Sequence, residues 1–236
     1  MSPPIFDAPE FSRNLFFPRA DTGRPPPGAR DVTIAVAPSV TLHARIHAAP
    51  NATASVLLFH GNGEIVADYD DAAAAFHSVG ATLAVVDFRG YGQSTGTPSL
   101  RAIIADTPVV LDALEGQLRM REVPLVVMGR SLGSACAAAA AGLGDARIAG
   151  LIVESGFTDL HALVKRRGLP VPPQFSSADL TDFDPLPKLA RFRGPLLVLH
   201  GERDVLIAPL EGQAAYDAAT AAARRLVLIP GRGHND

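Results

Sequence analysis

The feature that most narrows the possible folds is a series of short, unbroken apolar runs, each followed by a turn or a segment of helical length. "SVLLFH" (55–60), "TLAVVDF" (82–88), "PLVVMG" (124–129), "IAGLIVES" (148–155), "GPLLVLHG" (194–201) and "RRLVLIPG" (224–231) are rich in Val, Leu and Ile without polar alternation. A strand that is apolar on both sides must be buried on both faces, the condition of a parallel sheet between two layers of helix. Ala-rich stretches intervene: 64–80, with Gly80 as C-cap; 99–122, with Ser99 as N-cap; 131–143; and 209–223. Pro108 lies inside the second of these, which predicts a kink there or two shorter helices. Strand alternating with helix implies right-handed βαβ units. Ahead of them, "DVTIAV" (31–36) and "TLHARIHA" (41–48) alternate in the manner of an antiparallel hairpin. The expected fold class is therefore α/β, a mostly parallel sheet with an N-terminal antiparallel hairpin and helices on both faces.

Residues 1–30 close on "GRPPPGAR" (23–30), which suits neither a helix interior nor a central strand, so this segment is expected to be an irregular arm. Residues 31–236 are expected to form one α/β domain, since 236 residues match one large core better than two small ones. Within it, 157–193 is too long for a plain connection and is expected to be a short cap-like excursion over the site. A net charge of −3 with no basic stripe argues against a nucleic-acid partner. Acids, arginines and prolines interrupt the N-terminal segment where a signal peptide needs an apolar core, and no apolar run approaches the roughly 20 residues of a membrane-spanning helix. The expectation is a cytoplasmic protein. The single cysteine, Cys136, excludes an internal disulfide and a Cys-based metal site, and its Ala-rich surroundings give it a packing role.

In an open parallel sheet, ligands bind beyond the carboxyl ends of the strands, so the residues that follow each apolar run carry the chemistry. After "PLVVM" stands "GRSLG" (129–133), a G-x-S-x-G element with a helix opening on the serine. That context is a nucleophile elbow: a sharp strand-to-helix turn that exposes Ser131, with small residues at Gly129 and Gly133 allowing close approach. Opening a helix also suits a plain N-cap serine. After "SVLLF" stands "HGNGE" (60–64), where the Asn62 N–H, with Gly61 as the fallback, and the Leu132 N–H would form an oxyanion hole. The loop lacks the G-K-[ST] of a phosphate-binding loop, and His60 suits a brace better than a base. After "GPLLVLHG" comes Asp204, placed to orient an imidazole; Glu202 and Asp159 are the rival acids. After "RRLVLIP" comes "GRGHND" (231–236), which brings His234 where a base must stand. The order serine, acid, histidine matches one of the three common serine-hydrolase triads and neither of the others.

Taken together, "HGN" (60–62), "DFRGYGQSTGTPS" (87–99), "GRSLG", "HGERDVLIAP" (200–209) and "GRGHND" resemble the α/β-hydrolase superfamily. The similarity is greatest to its small, cap-poor serine hydrolases related to serine aminopeptidases, monoglyceride lipases and depalmitoylases. It covers about residues 31–236 and implies Ser131 as nucleophile, Asp204 as acid, His234 as base, and Asn62 and Leu132 as oxyanion amides. It makes Asp87 and Arg89 scaffold. The implied activity is hydrolysis of carboxylic esters or thioesters of small-molecule or acyl-chain substrates, with neither metal nor organic cofactor. An aminopeptidase or amidase would share the triad and need a carboxylate pair, for which Asp179, Asp182 and Asp184 are candidates. A non-catalytic ligand-binding protein would ordinarily lack a triad member. The basic "KRRG" (165–168) reads as exposed surface or as a contact to an acidic group. The resemblance departs in two respects: there is no large cap, and no helix follows His234. With only Asp204 and local packing to hold that histidine, the expectation is a trimmed chain or a loop mobile until substrate binds.

Overall fold

Strand residues of even and odd parity point to opposite faces, and the computed structural model sorts them accordingly. It describes residues 9–166, 168–169 and 183–236. Eight strands form one sheet: β1 (Ala29–Ala37), β2 (Val40–His47), β3 (Ala54–Phe59), β4 (Ala81–Val86), β5 (Leu125–Arg130), β6 (Ile148–Glu154), β7 (Leu196–Gly201) and β8 (Arg224–Ile229). Their spatial order is β1-β2-β4-β3-β5-β6-β7-β8. The β1–β2 and β2–β4 pairs are antiparallel, and every other pair is parallel. On one face Leu57, Phe59, Ala84, Val86, Leu125 and Val127 join the larger core. On the other, Val56, Leu58, Leu83, Val85 and Met128 form a second core. Continuous apolar strands thus serve two helical layers, as the sequence implied.

The larger core is closed by α3 (Leu100–Leu114), α4 (Ser134–Gly142), α6 (Leu186–Arg191) and α7 (Pro209–Ala218); the smaller is closed by α2 (Ala73–Ser78). Ser99 caps α3, its side chain accepting from the Ala102 N–H at 3.1 Å. Pro108 leaves α3 as one helix, and it ends at Leu114 where the sequence suggested 122. Beside the proline, side chains take the Ile103 carbonyl: Thr107 Oγ1 donates to it at 3.0 Å and Cys136 Sγ at 3.5 Å. Cys136 is fully buried, and burial pushes its thiol up to about 12, in keeping with a packing residue.

Two further expectations need correction. The stretch 64–80 is a 3-10 turn (Val66–Tyr69) followed by the short α2, because its acids serve tertiary partners. Asp68 pairs with Arg19, and Asp70 pairs with the buried Arg45. The arm 1–30 is irregular only in part: α1 (Pro9–Leu15) buries Phe11 and Leu15 in the main core, followed by Phe16. Of the excursion 157–193, the described part holds α5 (Leu160–Arg166) and α6, while Arg167, Asp179 and Asp182 lie outside the described residues. Among the described residues, no helix is long and apolar enough to cross a membrane.

A buried polar network under the hairpin gives the fold a pH dependence. His43 Nδ1 bonds Asp87 Oδ2 at 2.8 Å, and its Nε2 lies 3.2 Å from Asp31. Burial alone would lower the His43 pKa, but Asp87 and Asp31 outweigh it and hold it above the usual 6.5. The folded chain therefore binds this proton more tightly than the unfolded chain does. That stabilisation is complete below pH 6.5 and is lost as pH rises through the raised value. Buried His47, whose pKa desolvation lowers, pulls the other way, so the test is a comparison: from pH 6 to 9 the melting temperature of the wild type should fall more, or rise less, than that of His43→Gln.

Candidate active site

β5 delivers the nucleophile candidate. Ser131 follows its last residue and opens a 3-10 turn (Ser131–Gly133) that runs into α4. Its φ of 49° is left-handed, a conformation costly to any residue but glycine. The two glycines of the motif are required by contact. A Cβ on Gly129 would overlap the Gly133 carbonyl, and one on Gly133 would overlap the Phe59 carbonyl. Gly133→Ala should therefore cost about 1–3 kcal/mol or more by overpacking and push β3 away from the elbow. Urea denaturation measures the loss, and a stability within 0.5 kcal/mol of wild type would show that the strands part easily.

β7 and β8 deliver the other two. Asp204 is buried beyond β7, and its Oδ1 accepts the Leu206 and Ile207 N–H groups at 2.9 and 2.8 Å. Its Oδ2 bonds His234 Nδ1 at 2.7 Å and lies 3.3 Å from His200 Nε2. His234 Nε2 stands 2.9 Å from Ser131 Oγ. Residues 131, 204 and 234, far apart in the chain, thus form one line of hydrogen bonds at the carboxyl ends of adjacent parts of the sheet. The rival acids are engaged elsewhere. Glu202 accepts the Gly231 N–H at 3.1 Å, and Asp159 accepts the Ala162 N–H at 2.8 Å at the start of α5. Asp184 likewise accepts the Leu186 N–H at 3.0 Å.

The turn after β3 lies against the elbow. The Gly61 N–H donates to Glu64 Oε2 at 2.6 Å and is not free for a substrate. The backbone N–H groups of Asn62 and Leu132 have no hydrogen-bond partner among the described residues. The Asn62 side chain holds the arm: its Nδ2 donates to the Leu15 carbonyl at 2.6 Å, and its Oδ1 accepts from the Phe17 N–H at 2.9 Å and Tyr91 Oη at 2.6 Å. His60 is fully buried; its ring contacts the Gly61 carbonyl, Asp87, Phe88 and Tyr91. Asp87 also accepts the Val66 N–H at 2.9 Å, and Arg89 grips Asp106 through two bonds. These groups brace the loops around the site.

Sequence reasoning missed a cluster beside the histidine. Arg130, the variable position of G-x-S-x-G, pairs with Glu64 and donates from Nη2 to the His234 carbonyl at 2.9 Å and to Asn235 Oδ1 at 3.0 Å. Its Nε lies 3.4 Å from Glu154, the last residue of β6. Burial raises the Glu154 pKa, the nearby Glu64 charge adds to the rise, and Arg130 opposes it. The last loop is therefore held by more than Asp204. It is also stitched to the loop after β7, where the Arg203 N–H donates to the Arg232 carbonyl at 2.7 Å.

Residues 50–179 match the family model described as "Serine aminopeptidase, S33". An uncharacterized protein of Mycobacterium tuberculosis, Rv2307c, is 30% identical over 215 residues, covering 89% of this chain and 74% of its own length. Protein bem46 of Schizosaccharomyces pombe is 27% identical over 191 residues, covering 79% of this chain and 63% of its own. Among solved structures, the Pyrococcus furiosus esterase Pf2001 superposes with a TM-score of 0.72 at 19% identity, covering 93% of this chain and 91% of that one. Est1E from Butyrivibrio proteoclasticus gives 0.68 at 16% identity, covering 86% and 90%.

Proposed function

Because the chain belongs to the serine aminopeptidase (S33) family of α/β-hydrolases, we propose that it hydrolyses carboxylic ester or thioester bonds through Ser131, His234 and Asp204. The observation that carries this reading is the unbroken pair of hydrogen bonds, 2.7 Å from Asp204 to His234 and 2.9 Å from His234 to Ser131. His234 Nε2 takes the Ser131 proton as Oγ attacks the acyl carbon, and Asp204 stabilises the imidazolium that forms. The carbonyl oxygen, now negative, accepts from the Asn62 and Leu132 N–H groups, two donors without a competing partner among the described residues. His234 then gives its proton to the departing alcohol or thiol. A water attacks the acyl-enzyme by the same route in reverse order of proton transfer, releasing the acid and restoring Ser131.

In this reading residues 31–236 form the catalytic domain, and the preceding arm steadies the oxyanion turn through Asn62. The substrate is a small-molecule or acyl-chain ester, and no cofactor enters any step. Of the carboxylates considered for the peptidase alternative, Asp184 accepts the Leu186 N–H at the start of α6 through Oδ1. The test is a panel of p-nitrophenyl acetate, butyrate and octanoate, an acyl thioester, and amino-acid p-nitroanilides, each with wild type and Ser131→Ala. Ester or thioester turnover that vanishes in Ser131→Ala is the expected result. Faster cleavage of the anilides would replace the esterase by a peptidase, and equal turnover by both proteins would remove Ser131 from the mechanism.

A further inference from the structure

We infer that Arg130, held between Glu64 and Glu154, is a positioning residue that fixes the histidine loop and the oxyanion turn against the nucleophile. The inference rests on the hydrolase reading for its catalytic consequence, but its geometric core is independent of it. The three guanidinium nitrogens have separate tasks. Nη1 faces Glu64, Nη2 donates to the His234 carbonyl and to Asn235 Oδ1, and Nε lies toward Glu154. Glu64 in turn reaches back to the turn after β3, where its Oε2 accepts the Gly61 N–H at 2.6 Å and the Tyr69 hydroxyl at 2.6 Å. One continuous set of charged hydrogen bonds therefore runs from the oxyanion turn, through the residue preceding Ser131, to the backbone of the base.

The space for this pair is itself built into the chain. A Cβ on Gly61 would lie 2.6 Å from Arg130 Nη1 and 2.9 Å from Glu64 Oε2, so any side chain there would displace the pair. Arg130 is also covalently next to Ser131, whose left-handed backbone fixes the direction in which its neighbour leaves the strand. Lysine cannot substitute in this geometry. It supplies the charge as a point and lacks the planar fork that meets two carboxylates and a carbonyl at once. Moving His234 by an ångström relative to Ser131 is enough to lower turnover by on the order of 10²-fold, which is the leverage a clamp of this kind holds.

The experiment compares wild type, Arg130→Lys, Arg130→Met and Glu64→Gln. It measures kcat and KM for p-nitrophenyl butyrate and amide hydrogen exchange over residues 231–236. Turnover in Arg130→Met should fall about 10²-fold with KM changed by less than about threefold, since the lost geometry acts on the reacting atoms and not on acyl binding. Exchange over 231–236 should accelerate in the same variant. Arg130→Lys should fold with a melting temperature near wild type yet recover little of kcat, which separates positioning from a purely structural ion pair. A folded Arg130→Lys with wild-type kcat, or an Arg130→Met whose tail exchanges as slowly as wild type, would overturn the inference. Should wild type hydrolyse no ester at all, the hydrolase reading fails, while the exchange data still decide whether Arg130 clamps the loop.

Discussion

Replacing Ser131 by alanine is expected to lower ester turnover by on the order of 10⁴–10⁶-fold, because the members of a triad act as a unit and loss of the nucleophile removes the covalent path. A residual rate above that of water would come from the two backbone donors and from binding alone. Glycine at the same position should be equally inactive but not equally stable. Ser131 has a φ of 49°, and alanine inherits that strain while glycine does not. The two variants share the loss of the hydroxyl, so their difference isolates the backbone. Ser131→Gly should exceed Ser131→Ala by about 1 kcal/mol, or roughly 2–4 °C in melting temperature for a domain of this size. Identical melting curves would mean that the elbow holds no strain. A fluorophosphonate probe gives the catalytic half of the result directly, labelling the wild type and neither variant. Labelling of Ser131→Ala would place the nucleophile elsewhere.

The strands were legible because each apolar run carries its own instruction: Val, Leu and Ile on both faces permit only burial between two layers. The helices were less so. Residues 64–80 read as one helix, but Asp68 and Asp70 are pledged to Arg19 and Arg45, partners that no local pattern discloses. The arm read as irregular from its prolines, while Phe11, Leu15 and Phe16 found the main core through contacts far along the chain. At the site, the residues that the sequence singled out as Ser131, Asp204 and His234 are the ones the fold brings into one hydrogen-bonded line. What escaped was the side chain at the variable position of the motif. A signal was present: Glu64, Arg130 and Glu154 are charged residues that follow or end the buried strands β3, β5 and β6. Only the sheet order makes these strands neighbours, and so turns three isolated charges into one cluster. The tail was misjudged for the same reason. Expected to hang from Asp204 and local packing, it is held by Arg130 as well.

That anchoring changes what removal of the tail should do. Deleting residues 234–236 takes away the base and should match Ser131→Ala in lost turnover, on the order of 10⁴–10⁶-fold, with no further loss when the two changes are combined. It also takes away both Arg130 contacts with the loop and the Asp236 carboxylate that accepts the Gly233 N–H at 2.6 Å. Hydrogen bonds to a charged group contribute about 1.5–3 kcal/mol each when both partners are buried, and less here because Asn235 and Asp236 are exposed. Arg130 keeps two carboxylates, so its charge is not stranded. The net cost of the deletion is about 1–2 kcal/mol, or roughly 2–8 °C in melting temperature. His234→Gln removes the base while leaving the backbone carbonyl and Asn235 for Arg130, so it should be as inactive as the deletion and melt within about 2 °C of wild type. The gap between these two melting temperatures therefore measures the clamp without reference to catalysis. Equal melting temperatures for both variants would show that Arg130 contributes nothing to holding the loop, and collapse of the truncated chain would show that the last residues belong to the core of the fold and not to its site alone.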